Sequence, residues 1–243
     1  MSEPSKPKRI AIWSGPRNLS TAMMRSWENR VDTEVIDEPL YPYHLALTGM
    51  AHPMRDEVMA VGPTGLEAAI ERCLAPVSPK ASISYQKHMS AHLTPEIDRA
   101  WLKSLTHGLL LRHPHRVIKS YTRKWESMPL TETGLPQQVE LIDEAVVIID
   151  CDDFLSDPAT YQEAICDRLG VSFDSAMLRW PAGRRASDGI WGQVWYGVVE
   201  KSTEFGAPPG PVPTIDDLPR AVRATADEAL PLYEQLAERR MVL

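Results

Sequence analysis

The chain reads as an α/β protein built on a parallel sheet. Two observations predict that class. Continuous apolar runs at 108–111 and 145–149 have the character of strands buried on both faces, and a shorter run closes at Trp13. Each is followed, across a turn rich in small residues, Pro or acidic residues, by a segment with helical spacing. Strands alternating with helices mean crossover units and a parallel sheet.

Taken in order, residues 8–13 form the first strand and 20–29 the first helix. Residues 34–36 form a short second strand. Asp37-Glu38-Pro39-Leu40-Tyr41-Pro42-Tyr43 follows as a loop, because its two prolines disfavour regular structure. Residues 44–65 show no clear period and read as loop with one helical turn. Residues 66–74 are helical, and 81–86 alternate as a third strand. Thr94-Pro95-Glu96 signals a helix running to about Leu105. The fourth strand is 108–111, and Pro114 opens a helix to about Glu126. Residues 137–144 are helical and 145–149 are the fifth strand. Asp157-Pro158 starts a helix that ends near Gly170. Residues 180–214 are long and irregular, the profile of a cover over a site. Pro219 opens a last helix with Val222, Ala226, Ala229, Tyr233 and Leu236 on one face. The expectation is one domain over 1–243: a core at 8–171, an irregular covering segment at 172–218 and a C-terminal helix at 219–241.

Composition narrows the function. Apolar residues make up 43% and charged residues 24% of 243 positions, ordinary globular values. The formal net charge of −7 argues against a nonspecific nucleic-acid binder, so an anionic ligand needs a local basic pocket. Three cysteines without paired or metal-type spacing suit a reducing compartment. The polar, basic start and the absence of any membrane-length apolar run predict a soluble cytoplasmic protein without a membrane partner.

Two constellations carry chemistry. The first is Gly15-Pro16-Arg17-Asn18-Leu19-Ser20-Thr21, between the first strand and the first helix. Helix-start N–H groups and the helix dipole favour an anion there, and Arg17 adds a forked, permanent cation. The second lies on the helix after the fourth strand. At about 100° per residue, Arg116, Lys119, Ser120 and Arg123 share one side, and Val117, Ile118, Tyr121 and Trp125 the other. Arg112 stands at the carboxyl end of that strand, where open α/β sheets bind ligands, and with Ser120 it can meet one phosphate.

With those residues in view, the chain resembles the sulfotransferases that use 3′-phosphoadenosine 5′-phosphosulfate (PAPS), most closely their bacterial branch. Residues 15–21 resemble the family's 5′-phosphosulfate loop. Leu111-Arg112-His113-Pro114-His115-Arg116-Val117-Ile118-Lys119-Ser120-Tyr121 resembles its 3′-phosphate motif, with Arg and Ser eight residues apart. Ile149-Asp150-Cys151-Asp152-Asp153 and the helix to Gly170 resemble a later strand, acidic turn and helix. Two departures stand out: Asn18-Leu19 replaces Ser-Gly, and Lys201-Ser202-Thr203 only faintly matches a C-terminal basic segment.

The resemblance implies a three-layer α/β/α fold of the P-loop nucleotide-kinase type with about five parallel strands. It implies sulfuryl transfer from PAPS to a hydroxyl or amine of a small-molecule acceptor, with no metal. Arg17 would steady the phosphosulfate. Gly15, Asn18, Leu19, Ser20, Thr21, Arg112, Ser120 and Lys201 would join Arg17 in holding the nucleotide. Glu38, after the second strand and beside Asp37, is the first candidate for general base. His88 is the second. His88 and His92, four apart, match two metal ligands but have no third within sequence reach. Trp191, Trp195 and Tyr196 either stack on adenine, line the acceptor pocket or anchor their loop. Two other readings stand beside transfer. One is a PAPS- or PAP-binding protein of the same fold without activity. The other is an ATP-dependent P-loop phosphotransferase, disfavoured because Ser20-Thr21-Ala22 occupies the place of Gly-Lys-Ser/Thr.

Overall fold

A computed structural model describes residues 6–243. Five strands form one all-parallel sheet: β1 (Lys8–Ser14), β2 (Thr33–Asp37), β3 (Ile83–Met89), β4 (Thr106–Leu111) and β5 (Ala145–Asp150). Their order across the sheet is β2-β3-β1-β4-β5. β1 is central: the chain first builds β2 and β3 on one side of it and then crosses to β4 and β5 on the other. That reversal opens a crevice beyond the carboxyl ends of the central strands.

Side-chain alternation sorts each strand between two cores. Ile10, Ile12, Tyr85, Leu110, Val147 and Ile149 pack with α1 (Ser20–Glu28), α2 (Tyr41–Thr48) and α8 (Pro158–Arg168). Ala11, Trp13, Leu109, Leu111 and Ile148 pack on the opposite face with α4 (Leu66–Leu74), α6 (Leu135–Glu140) and α10 (Arg223–Ala237). The result is the three-layer α/β/α sandwich that the resemblance implies, built on the parallel sheet that the alternating runs predict. A smaller cluster joins Val117 and Ile118 of α5 (Pro114–Tyr121) to Val222 and Ala226. Among the described residues, no helix is long and apolar enough to cross a membrane.

Several elements differ from the sequence expectation for local reasons. Residues 41–48 are helical because Pro42 sits in the first turn, where its missing N–H costs nothing. A further helix, α3 (Arg55–Val61), lies inside the stretch read as loop. The helix expected at 94–105 shrinks to a 3₁₀ turn, Ala100–Ser104. There the Arg99 guanidinium binds the carbonyls of Thr94 (2.8 Å) and Ile97 (2.7 Å), and Asp98 accepts from the Ala100 N–H. These side-chain bonds compete with a helical ladder. α5 stops at Tyr121, five residues early, and the acidic turn after β5 is a short helix, α7 (Cys151–Ser156), capped by Asp150. The long segment after 180 contains α9 (Gly192–Trp195) and is pinned down rather than loose. Asp188 pairs with the buried Arg25 at 2.6 Å, and the Gly189 N–H donates to Asp37 at 3.0 Å.

One glycine is required by a close approach. A Cβ on Gly15 would lie 2.2 Å from the carbonyl oxygen of Thr133. Gly15→Ala is therefore expected to destabilise the fold by about 1–3 kcal/mol through overpacking. Urea denaturation checks this, and an unchanged midpoint would show that the two backbones part without cost.

Candidate active site

The crevice at the carboxyl ends of the strands holds a cavity of about 300 Å³. Residues 16–22 from the β1–α1 turn, Arg112 from the end of β4 and Glu38 from the end of β2 line it. Lys87 and Met89 of β3 also face it, with Trp195, Tyr196, Val198 and Val199 from the covering segment.

The turn from Gly15 to Ser20 is held in an unusual backbone. Arg17 (φ 64°) and Leu19 (φ 59°) both adopt the left-handed region. Leu19 thus takes, at the cost of a Cβ, the conformation that a glycine would supply freely. α1 begins without a side-chain cap, and its first residues, Ser20 to Ala22, line the cavity. Asn18 is turned inward: its Nδ2 donates to the Leu110 carbonyl at 3.2 Å, and its own carbonyl accepts from the Cys151 thiol at 3.3 Å. Asn18 thus ties the turn to β4 and β5, while Ser20 and Thr21 line the cavity.

The structure brings Arg17 and Arg112 together. Arg17 Nε donates to Ser120 Oγ at 2.9 Å, and an Arg112 terminal nitrogen donates to the Arg17 carbonyl at 2.7 Å. Burial, with Arg112 and Arg123 nearby, holds the Arg17 guanidinium below its ordinary pKa. The carboxylate near Arg112, Asp152, is 3.9 Å from its Nε and is taken up by Arg116 at 2.6 Å. Two guanidiniums therefore share a cavity wall without full compensation, an arrangement that an anion would relieve.

Opposite in charge is a buried network around Lys87. Its ammonium contacts Glu38 and lies 3.0 Å from Asp37 and 2.8 Å from Tyr196 Oη. Tyr196 Oη donates to Asp37 (2.8 Å) and accepts from Trp191 Nε1 (3.1 Å). Burial raises the Glu38 carboxyl pKa, Lys87 pulls it back, and Asp37 pushes it further up. For Lys87, burial lowers the pKa, but Asp37 and Glu38 outweigh it and leave it raised. Glu38 itself sits at φ 40°. Arg17, Leu19 and Glu38 are three of the four non-glycine residues with positive φ among the described residues, and all three line the cavity.

Other expected site residues lie elsewhere. His88 points to the opposite sheet face from Lys87, as neighbours in a strand must. It stacks on Trp13 at 4.1 Å and bonds Gln86 Oε1 at 3.1 Å, away from the cavity, so it is not placed to act as base. His92 does line the cavity and stacks on Tyr41, so the two histidines do not share a helix face. Lys201 is exposed and outside the lining of this cavity. Gly15 serves the turn's packing and is not in the wall, and Ser120 acts through Arg17. Of the three aromatics, Trp195 and Tyr196 line the cavity and Trp191 braces Tyr196 from behind. Sequence reasoning missed Lys87, Tyr41 and Glu132. For Lys87 a signal existed: a lysine at the end of an apolar strand, beside the histidine that drew attention instead.

A family model described as "Sulfotransferase domain" matches residues 8–240. The chain belongs to that sulfotransferase domain family. Two curated relatives from Arabidopsis thaliana are named branched-chain-amino-acid aminotransferase-like proteins 1 and 2. The first is 33% identical over 84% of this chain, the second 32% over 82%. The chain spans only 38% and 36% of their lengths. Among solved structures, the sulfotransferase from Alicyclobacillus acidocaldarius superposes with a TM-score of 0.54 at 13% identity. The superposition covers 96% of this chain and 97% of that one. That likeness supports the sulfotransferase fold, and the five-stranded parallel sheet agrees with it.

The domain's buried histidines make a pH prediction. Burial pushes His88 down to about 3 from an ordinary 6.5. The unfolded chain thus takes up a proton near 6.5 that the folded chain refuses until about pH 3. Stability contributed here is complete above that window and falls as pH drops through it. Thermal melts from pH 7 to 4 should show a falling Tm, and His88→Gln should flatten the slope. An equal slope in the variant would place the acid sensitivity in other groups.

Proposed function

We propose that this sulfotransferase domain moves a sulfuryl group from PAPS to a hydroxyl or amine of a small acceptor. The observation that carries the reading is the paired guanidinium wall: Arg17 and Arg112, from two neighbouring strand tips, beside an open helix start. The residues suit a nucleotide with anionic groups at two ends. Arg17, Ser20, Thr21 and the first amides of α1 would hold the 5′-phosphosulfate, and Arg112, with Ser120 on Arg17, the 3′-phosphate. The donor supplies the sulfuryl group.

Glu38 would accept the acceptor's proton while the acceptor oxygen or nitrogen forms its new bond to sulfur. The S–O bond to the 5′-phosphate breaks, and its electron pair stays on the phosphate oxygen. Arg17, a fixed cation, would steady the charge that grows there. Lys87 and Tyr196 hold the Glu38 carboxylate in place, so little reorganisation is needed at the moment of proton transfer.

PAP, the desulfated donor, should raise the Tm of the protein, by the equivalent of about 2.7 kcal/mol at a hundred times its Kd. Arg112→Ala should weaken PAP about tenfold to a hundredfold, the loss of a charge-assisted bond of about 1.5–3 kcal/mol. Absence of any shift at millimolar PAP would falsify the donor assignment. Glu38→Gln should cut turnover of labelled PAPS about 10²–10⁴-fold while PAP affinity holds. Full activity in that variant would move the base elsewhere, and PAP binding without transfer to any alcohol, phenol or amine would favour a binding protein.

A further inference from the structure

One charge in the cavity has no use in the chemistry above. Glu132, in the 3₁₀ turn Leu130–Thr133, lines the same cavity as Glu38. Burial alone raises its carboxyl pKa, with no cation pulling it back. Around it stand aromatic side chains. Tyr41 lines the cavity with Glu38 and Glu132, and after burial both carboxylates push its phenol pKa further up. Glu132 acts likewise on Tyr121. Tyr41 Oη is already bonded to His52 Nδ1 at 3.0 Å, and Trp195 completes the wall.

The charges divide cleanly. Arg17 and Arg112 face the donor's anions, and Lys87 is committed to Asp37 and Glu38. Glu132 shares the cavity wall with Tyr41, Tyr121 and Trp195 and makes no salt bridge among the described residues. A carboxylate only accepts hydrogen bonds, so the group it meets must donate. Tyr41 is stacked on His92, and Tyr121 and Trp195 each stack on Trp125; rings that line a cavity beside a carboxylate favour a cation over a neutral donor. Trp195 already attracts one: exposed Lys124, outside the cavity lining, has its ammonium 5.3 Å from the ring centroid.

We infer that Glu132, with Tyr41, Tyr121 and Trp195, forms a subsite for a positively charged ammonium group, so that the acceptor is an amino alcohol whose hydroxyl is presented to Glu38. This rests on the transfer reading but concerns the other end of the cavity. Both carboxylates line one cavity of about 300 Å³, so a small molecule reaches both. The ammonium anchors the acceptor, and the free hydroxyl is the group that becomes the sulfate ester.

The test uses matched pairs differing only in charge: choline against 3,3-dimethylbutan-1-ol, and 4-aminobutan-1-ol against pentan-1-ol. Binding to the PAP-saturated protein is read by calorimetry. At least one charged member should bind tenfold or more tightly than its isostere. Glu132→Gln should bring that pair within about twofold, leaving the neutral member and the PAP-induced Tm shift unchanged. Glu132 is half-buried and makes no bond through its side chain among the described residues, so this variant is expected to fold. Equal affinity within both pairs, no measurable binding of either charged probe, or a preference that survives Glu132→Gln each overturns the subsite. Repeating the titrations without PAP separates the two claims. A charge preference without PAP binding sinks the donor reading and keeps the subsite. PAP binding without a charge preference does the reverse.

Discussion

The ammonium of Lys87 is the interaction on which the site's architecture depends. It is buried at the tip of β3 and held by Asp37 and Glu38 from the end of β2 and by Tyr196 from the covering segment. An unpaired ammonium at that depth would be untenable, and so would two adjacent carboxylates without it. Each group is therefore a condition for the others. The pairing is not a gift of stability, since desolvation offsets much of the Coulomb gain. What it supplies is position. The strand tip, the strained Glu38 backbone and the cover are drawn to one point, and the cavity takes its shape from that.

A second constraint works in the opposite sense. Arg17 and Arg112 are like charges brought within mutual influence, and the backbone of Arg17 and Leu19 is bent into the left-handed region to do so. Asn18 underlies this arrangement, tying the turn to Leu110 on β4 and, through its carbonyl, to Cys151 beyond β5. Gly15 behind it lets Thr133 approach closely enough to back the turn. The protein stores unfavourable electrostatics and backbone strain at the same place, and satisfied polar networks nearby hold them there. That concentration is what distinguishes a site poised for an anion from an ordinary strand-to-helix turn.

The strands and the strand-to-helix turn at 15–21 were readable because their signals are local. Runs such as 108–111 and 145–149 can be satisfied only inside a sheet, and Gly-Pro-Arg before Ser-Thr marks a helix start with a cation beside it. Helices that end by side-chain competition were harder. The stretch 94–105 has a proper start signal, yet Asp98 and Arg99 divert its backbone bonds. Pro42 looked like a breaker and proved a helix opener, because a proline's effect depends on which turn it occupies. Which of Lys87 and His88 meets the cavity turned on strand parity. Lys87 and His88 are neighbours, so one faces the cavity and the other Trp13.

By itself the sequence determined the α/β class, the order of the strands along the chain and the two arginine-bearing turns. Each of these follows from residue type and spacing within a few positions. Only the tertiary structure decided which side chains meet. Lys87 and Tyr196 are 109 residues apart, and Arg17 and Ser120 are 103 apart. Glu132 reaches the cavity from a turn with no motif of its own. Such encounters are set by how the sheet orders its strands and how the long cover folds back over their tips. These are properties of the packed whole that no local pattern encodes.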